Sequence, residues 1–218
     1  MIASLRDVSV RYGYQWALAR ISLDIPYGAT VLITGQNGAG KTSLLRVLGT
    51  ALKPALGSVT LLGYHTHTHL EKARAGLALI THQHYFYEIF SGLENLQWTA
   101  RLAGLPSTLE HISPHMEKVG LSAQNTKPVS HYSAGMKRRL CFARAAMLKP
   151  SLLLLDEPFG QLDPQGVEYV TQMIQQQQTL GTSIVLTSHD IDRCLPLAHT
   201  HVHMEQGRIQ NIQTLRAL

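Results

Sequence analysis

Eight residues, Gly35-Gln36-Asn37-Gly38-Ala39-Gly40-Lys41-Thr42, constrain this chain more than any other stretch. An apolar run of β type, Thr30-Val31-Leu32-Ile33-Thr34, precedes them, and a helical run from Ser43 to Leu48 follows. Strand, glycine-rich turn and helix, in that order, is the setting in which a backbone loop wraps a phosphate. Gly35, Gly38 and Gly40 let the backbone close on an anion without Cβ clashes. Successive N–H groups, those of Asn37 and Ala39 among them, then point inward at the positive end of the next helix. Lys41 can reach terminal phosphate oxygens as a point charge, and the Thr42 hydroxyl can serve Mg²⁺. A nucleoside triphosphate is the expected ligand.

A second strong signal lies at Ser151-Leu152-Leu153-Leu154-Leu155-Asp156-Glu157-Pro158. The leucine run predicts a strand buried on both faces of a parallel sheet. Such strands present ligand groups at their carboxyl ends, where Asp156 and Glu157 stand. Asp156 suits a Mg²⁺ site and Glu157 can polarise an attacking water. The buried run Thr182–Thr187 ends in Ser188-His189-Asp190, which places His189 on the same sheet edge as the glycine loop and Glu157.

The remaining segments fill in an α/β plan. Residues 4–10 and 19–25 alternate at period two and predict short strands, with Tyr12 and Tyr14 between them. An aromatic there either stacks on a base or packs. Residues 58–63 and 75–80 predict two further strands, 167–180 a helix with an exposed glutamine run at 175–178, and 202–210 a closing hairpin turning at 205–207. From about Leu93 to Lys149 the pattern is helical. Ser133 and Gly135 open the helix that carries Lys137-Arg138-Arg139, either as an ordinary serine N-cap or as a second anion site. The run Tyr85–Phe90 reads either as an exposed docking surface or as core. His65, His67 and His69, and again His199, His201 and His203, alternate so that a strand would place each trio on one face. Metal binding and a plain polar surface both remain open for them.

Composition bounds the class. With 218 residues, 44% hydrophobic and 15% charged, the chain is long enough for one domain with an inserted lobe. No apolar run approaches the roughly 18–20 residues needed to cross a bilayer. Residues 1–10 lack the apolar core of a signal peptide, so a cytosolic location is expected. Cys141 and Cys194 form no paired motif and read as free structural thiols. The net charge of +5 suits an acidic partner only in a general way.

Taken in order, these motifs resemble the nucleotide-binding subunits of ABC transporters over essentially the whole chain. The resemblance implies a single ABC ATPase domain over 1–218: an α/β P-loop NTPase (RecA-like) core at about 1–83 and 150–218, a small antiparallel β subdomain, and a helical subdomain inserted at about 84–149. It implies Mg²⁺-ATP as ligand, bound by Tyr12, Gly35, Asn37, Gly38, Ala39, Gly40, Lys41, Thr42 and Ser43. The metal site would take Thr42, Gln83 and Asp156, and catalysis Glu157, His189 and Gln83. Gly160-Gln161-Leu162-Asp163 matches the D-loop. Tyr132-Ser133-Ala134-Gly135-Met136 occupies the signature position and keeps its serine and second glycine, so Ser133 and Gly135 would bind ATP across a dimer. Tyr132, Ala134 and Met136 depart from the usual pattern, which puts the strength of dimer closure in question.

The resemblance also implies partners: a second copy or a related subunit, and integral membrane permease subunits docked beside Gln83 and Tyr85–Phe90. The chain would then lie peripherally on the cytoplasmic face of the inner membrane. A narrower pattern, Thr81-His82-Gln83 to Tyr87, residues 92–96 and residues 101–105, looks like the haem-exporter ATPases of cytochrome c maturation and implies a haem-chaperone complex as a further partner. Another small exporter, for drug, lipid or polysaccharide, is the alternative cargo class. A non-transport ABC ATPase on ribosomes or DNA is the alternative outside transport. The single cassette argues against it, so no nucleic acid is expected. A P-loop kinase or GTPase would lack the signature and the Gln83–His189 arrangement.

Overall fold

The computed structural model describes residues 1–81, 84–160 and 162–217. In chain order the strands and helices are β1 (Ala3–Tyr12), β2 (Gln15–Ile25), β3 (Thr30–Thr34), α1 (Lys41–Leu48), β4 (Leu56–Leu61), β5 (Tyr64–His65), α2 (Leu70–Arg74) and β6 (Leu77–Ile80). Three helices follow, α3 (Gly92–Leu102), α4 (Leu109–Lys118) and α5 (Ala134–Leu148). The chain then returns to the sheet with β7 (Leu152–Asp156), α6 (Pro164–Thr179), β8 (Ser183–Thr187), α7 (Ile191–Cys194), β9 (Thr200–Glu205) and β10 (Arg208–Thr214).

The strands form two sheets, a four-stranded one in the order β2-β1-β4-β5 and a six-stranded one in the order β10-β9-β3-β8-β7-β6. The first is antiparallel throughout. In the second, β6, β7, β8, β3 and β9 run parallel, and β10 closes the edge antiparallel to β9. Parallel strands need covering on both faces, and the leucine run of β7 supplies what that demands. Leu152 and Leu154 pack with Val31, Ile33, Leu44, Leu45 and the first sheet. Leu153 and Leu155 face the opposite way, toward Leu96, Met116, Leu140 and Phe142 of the helical segment. One strand thus anchors two cores by its period of two. Truncating any of these leucines to alanine should cost about 2–5 kcal/mol.

Helix ends are set locally. Ser91 caps α3 in a reciprocal capping box with Glu94. Thr108, Ser133 and Asp163 cap α4, α5 and α6, each accepting from the third residue of its helix. Among the described residues no helix is long and apolar enough to cross a membrane.

Three expectations change. First, of His65, His67 and His69 only His65 lies in a strand, the two-residue β5. His69 precedes α2, a helix the residue pattern did not announce. The three imidazoles therefore share no strand face, and among the described residues no group of three or more His, Cys, Asp or Glu side chains could hold a metal. Second, the glutamine run of α6 is not simply an exposed face. Gln177 is 6% exposed and accepts from the Thr182 hydroxyl at 3.0 Å. Gln178 Nε2 donates to Thr30 Oγ1 at 2.7 Å and to the Leu197 carbonyl at 2.6 Å. Third, the run Tyr85–Phe90 is both surface and core. Tyr85, Tyr87 and Ile89 are exposed, while Phe86 packs against the helical core beneath Arg144, whose guanidinium lies 4.7 Å from its ring.

Candidate functional site

The carboxyl ends of β3, β7 and β8 lie side by side, so the segments after Thr34, Asp156 and Thr187 converge on one edge. After β3 the chain enters a loop with positive φ at Gly35 (145°), Gly38 (84°) and Gly40 (101°). Side chains are excluded from the back of this loop. A Cβ on Gly35 would lie 2.2 Å from the Met204 carbonyl oxygen, and one on Gly40 would lie 2.6 Å from that of Ala17. The loop is braced from behind by the β9–β10 turn, where the Gly207 N–H donates to the Ala39 carbonyl at 3.1 Å. Gly40 caps α1 with no side-chain hydrogen bond, which leaves first-turn N–H groups facing the loop. Lys41 folds back across it, donating to the carbonyls of Gly35 at 2.7 Å and Gln36 at 3.2 Å. The resulting cleft, about 400 Å³, is lined by Asn37 through Ser43, by Tyr12 and by Glu157.

At the next strand end, Asp156 is buried and accepts three hydroxyl hydrogen bonds. Thr42 donates to its two oxygens at 3.3 and 3.1 Å, and Thr187 to Oδ1 at 2.7 Å. A buried carboxylate flanked by hydroxyls is a hard oxygen donor set of the kind Mg²⁺ takes. The metal fits these residues, with Thr42 and Asp156 as the protein oxygens nearest the phosphate loop. Glu157 follows in the left-handed region, φ 47°. Its N–H donates to the carbonyl and hydroxyl of Thr187, each at 3.2 Å. Its carboxylate Oε2 accepts from the His189 ring at Nδ1, 2.9 Å away, and from the His189 N–H at 3.3 Å. The carboxylate can only accept, so the Nδ1 proton is fixed on that side of the ring. Water positioned by Glu157 would meet a group held from two directions.

Ser133 and Gly135 sit elsewhere. They line a separate hollow of about 330 Å³ at the start of α5, shared with Met136, Leu162 and Asp163. The Ser133 hydroxyl accepts from the Met136 N–H at 3.2 Å, as an N-cap should. Tyr132 turns inward, buried among apolar residues, and its hydroxyl has no partner among the described residues. The fold thus gathers Tyr12, the glycine loop and Glu157 in one cleft, ties Asp156 to Thr42 and His189 to Glu157 of that cleft, and leaves Ser133 and Gly135 outside it. Gln83 and Gln161 lie outside the described residues.

Some residues of the site were not anticipated. Trp16 of β2 lines the phosphate cleft beside Tyr12. The β1–β2 register shifts between Val10 and Arg11, just before Tyr12, and no composition pattern signals such a shift. Thr187 holds both Asp156 and Glu157 but reads in sequence as the last residue of an apolar strand. Asn95, buried in α3, staples the exposed aromatic loop: it accepts from the Tyr87 N–H at 2.9 Å and donates to the carbonyls of Tyr87 and Ser91, each at 3.0 Å.

Comparison with known proteins points one way. The family model described as ABC transporter matches residues 18–160. An uncharacterised ABC transporter ATP-binding protein of Bacillus subtilis, YdbJ, is 31% identical over 210 residues, covering 96% of this chain and 68% of that protein. The arginine transport ATP-binding protein ArtP of Escherichia coli is 31% identical over 219 residues, covering 96% of this chain and 90% of that protein. Among solved structures, an ATP-binding subunit of an ABC transporter superposes with a TM-score of 0.90 at 26% identity, covering 99% of this chain and 90% of that one.

Proposed function

The chain belongs to the ABC transporter family as an ATP-hydrolysing subunit, and from that premise we propose that two such cassettes close on two ATP molecules to drive a separate membrane subunit. The observation that carries this is the division of the site. The phosphate cleft holds Lys41, Thr42 and Glu157, whereas Ser133 and Gly135 open a different hollow on the same chain. Two chains facing each other would complete each cleft with the other's α5.

Within a cleft each residue has one task. Tyr12 stacks on the base. Gly35, Gly38 and Gly40 let backbone N–H groups meet the phosphates, and Lys41 exchanges its loop carbonyls for phosphate oxygens. Asp156, oriented by Thr187, and Thr42 would hold Mg²⁺, which when bound supplies charge neutralisation on the terminal phosphates. Glu157 accepts a proton from the attacking water at its carboxylate while His189 holds Oε2. The proposed role of Gln83 is to connect metal and water to the permease contact. The N-terminus of α5, at Ser133 and Gly135, faces the terminal phosphate of the opposite site.

Glu157→Gln tests the mechanism. It should keep ATP affinity, slow turnover by about a hundredfold or more, and accumulate a closed dimer by gel filtration. Turnover near that of the unaltered chain would remove Glu157 from the role.

For the cargo the proposal is haem export in cytochrome c maturation, with a haem-chaperone complex as partner. It is supported by the run from Thr81 to Tyr87 and by residues 92–96 and 101–105. Affinity purification from gently solubilised membranes, with mass spectrometry and an absorbance scan, decides it. Haem-handling membrane proteins support it. A permease of another kind, such as the arginine transport in which ArtP is named, discards haem and keeps the transporter.

A further inference from the structure

Arg138, in the first turns of α5, is 7% exposed. Its Nη2 donates to the main-chain carbonyl of Glu157, and its Nε is buried with no partner among the described residues. The side chain forms part of the wall of two hollows. One opens on Ser133 and Gly135, and the other, about 480 Å³, opens on Glu157 and His189. Burial lowers the proton affinity of the guanidinium, and Cys141, Asp156 and Glu157 act against that loss. A buried cation with one donor unmet is poor material for stability.

The carbonyl it holds belongs to a residue under conformational load. Glu157 has φ 47°, a region an L side chain occupies only when its surroundings over-determine it. The residue is held at its N–H by Thr187 and at its carbonyl by Arg138, with the Gly160 N–H donating to the same carbonyl at 3.1 Å. The two holds together fix the Cα from which the carboxylate reaches His189.

We propose that Arg138 is a positioning residue for hydrolysis, tying the backbone of Glu157 to the helix that begins at Ser133, so that the carboxylate is correctly placed only when α5 is. The role presupposes the ATPase mechanism proposed above. It makes α5 the lever by which events at the opposite ATP, or at the exposed loop that Lys137 pins through Glu88 at 3.0 Å, reach the hydrolytic carboxylate.

The test replaces Arg138 in the full chain with Met, of similar length but without donors, and with Lys, which keeps one donor at shorter reach. Arg138→Met should speed amide exchange at Gly160 while β7 stays protected, and should lower kcat by about tenfold or more at unchanged KM for ATP. Arg138→Lys should fall between Met and the unaltered chain. Exchange at Gly160 unchanged in Arg138→Met overturns the clamp. Faster exchange with kcat within about twofold of the unaltered chain, or a raised KM at full kcat, overturns its role in hydrolysis. Where Arg138→Met does not fold, Arg138→Lys decides: slower kcat at constant KM supports the assignment and full kcat overturns it. Glu157→Gln run in parallel separates the two levels. Full turnover there defeats the proposed mechanism, while the exchange measurement, which needs no turnover, still judges the clamp.

Discussion

At the scale of single residues, backbone conformation does as much as side-chain chemistry. Gly38 and Gly40 both adopt positive φ, yet they differ in surroundings. A Cβ on Gly38 meets nothing within 4 Å, whereas one on Gly40 meets the Ala17 carbonyl and the Leu18 side chain. Gly38→Ala should therefore cost only the dihedral penalty, about 1–2 kcal/mol. Gly40→Ala should add a steric clash with immovable backbone, for about 1–3 kcal/mol more. Urea melts and ATP titrations of the two variants check this, with equal losses counting against the steric account. The two cysteines illustrate the reverse case, in which surroundings disable chemistry. Burial pushes the thiols of both Cys141 and Cys194 up to about 11, so neither is a ready nucleophile in the folded chain.

At the scale of elements, β9 matters more than its edge position suggests. His199 Nδ1 accepts from the Thr30 N–H at 3.0 Å, at the start of β3. His201 Nε2 and His203 Nδ1 lie 2.7 and 3.2 Å from the Thr34 hydroxyl, at its end. Burial lowers the affinity of His199 and His201 for protons, with Arg216 and His203 respectively acting in the same sense. A depressed folded-state value means that the stabilisation is complete above the unfolded value near 6.5 and is lost as pH falls below it. The urea midpoint should fall between roughly pH 7.5 and 5.5. His199→Gln, whose side-chain oxygen can still accept from Thr30, should flatten that fall, and an unchanged slope would rule His199 out as a contributor.

The same histidines mark the boundary of what sequence can reveal. The trios at 65–69 and 199–203 look alike locally, and only neighbouring strands distinguish them. The glycine loop, Asp156-Glu157 and His189 were legible because each is a short motif at the end of a buried run. Arg138 was hidden within Lys137-Arg138-Arg139, where one basic residue looks like the next until burial selects it. Gln177 and Gln178 were misjudged because a four-glutamine run carries no apolar signal, although the helix face they occupy is turned inward.

At the scale of the molecule, the proposed dimer makes one chain a bearer of half-sites, and it is testable at the half that lies apart. Ser133→Arg should abolish ATP-dependent dimerisation while ATP still binds the cleft, read by light scattering beside a nucleotide titration. Dimerisation at the original strength would sink the two-chain site. The exposed aromatics raise a separate question of docking. Ile89 is 82% exposed beside Tyr85 and Tyr87, on a loop that Asn95 holds in shape. Ile89→Asp should lower recovery of the membrane partner on co-purification, with the far-UV spectrum unchanged. Recovery at the original level would place the docking surface elsewhere. The fold also carries a consequence for how the protein is made. The strand leading into the phosphate loop is flanked by β9, whose imidazoles contact Thr34 across 167 and 169 positions of chain. During synthesis the nucleotide-binding loop emerges well before β9 and must wait, without that brace, until β9 has followed. The geometry of the phosphate loop is therefore completed only once β9 and β10 have joined the sheet, however early the loop's own residues are made.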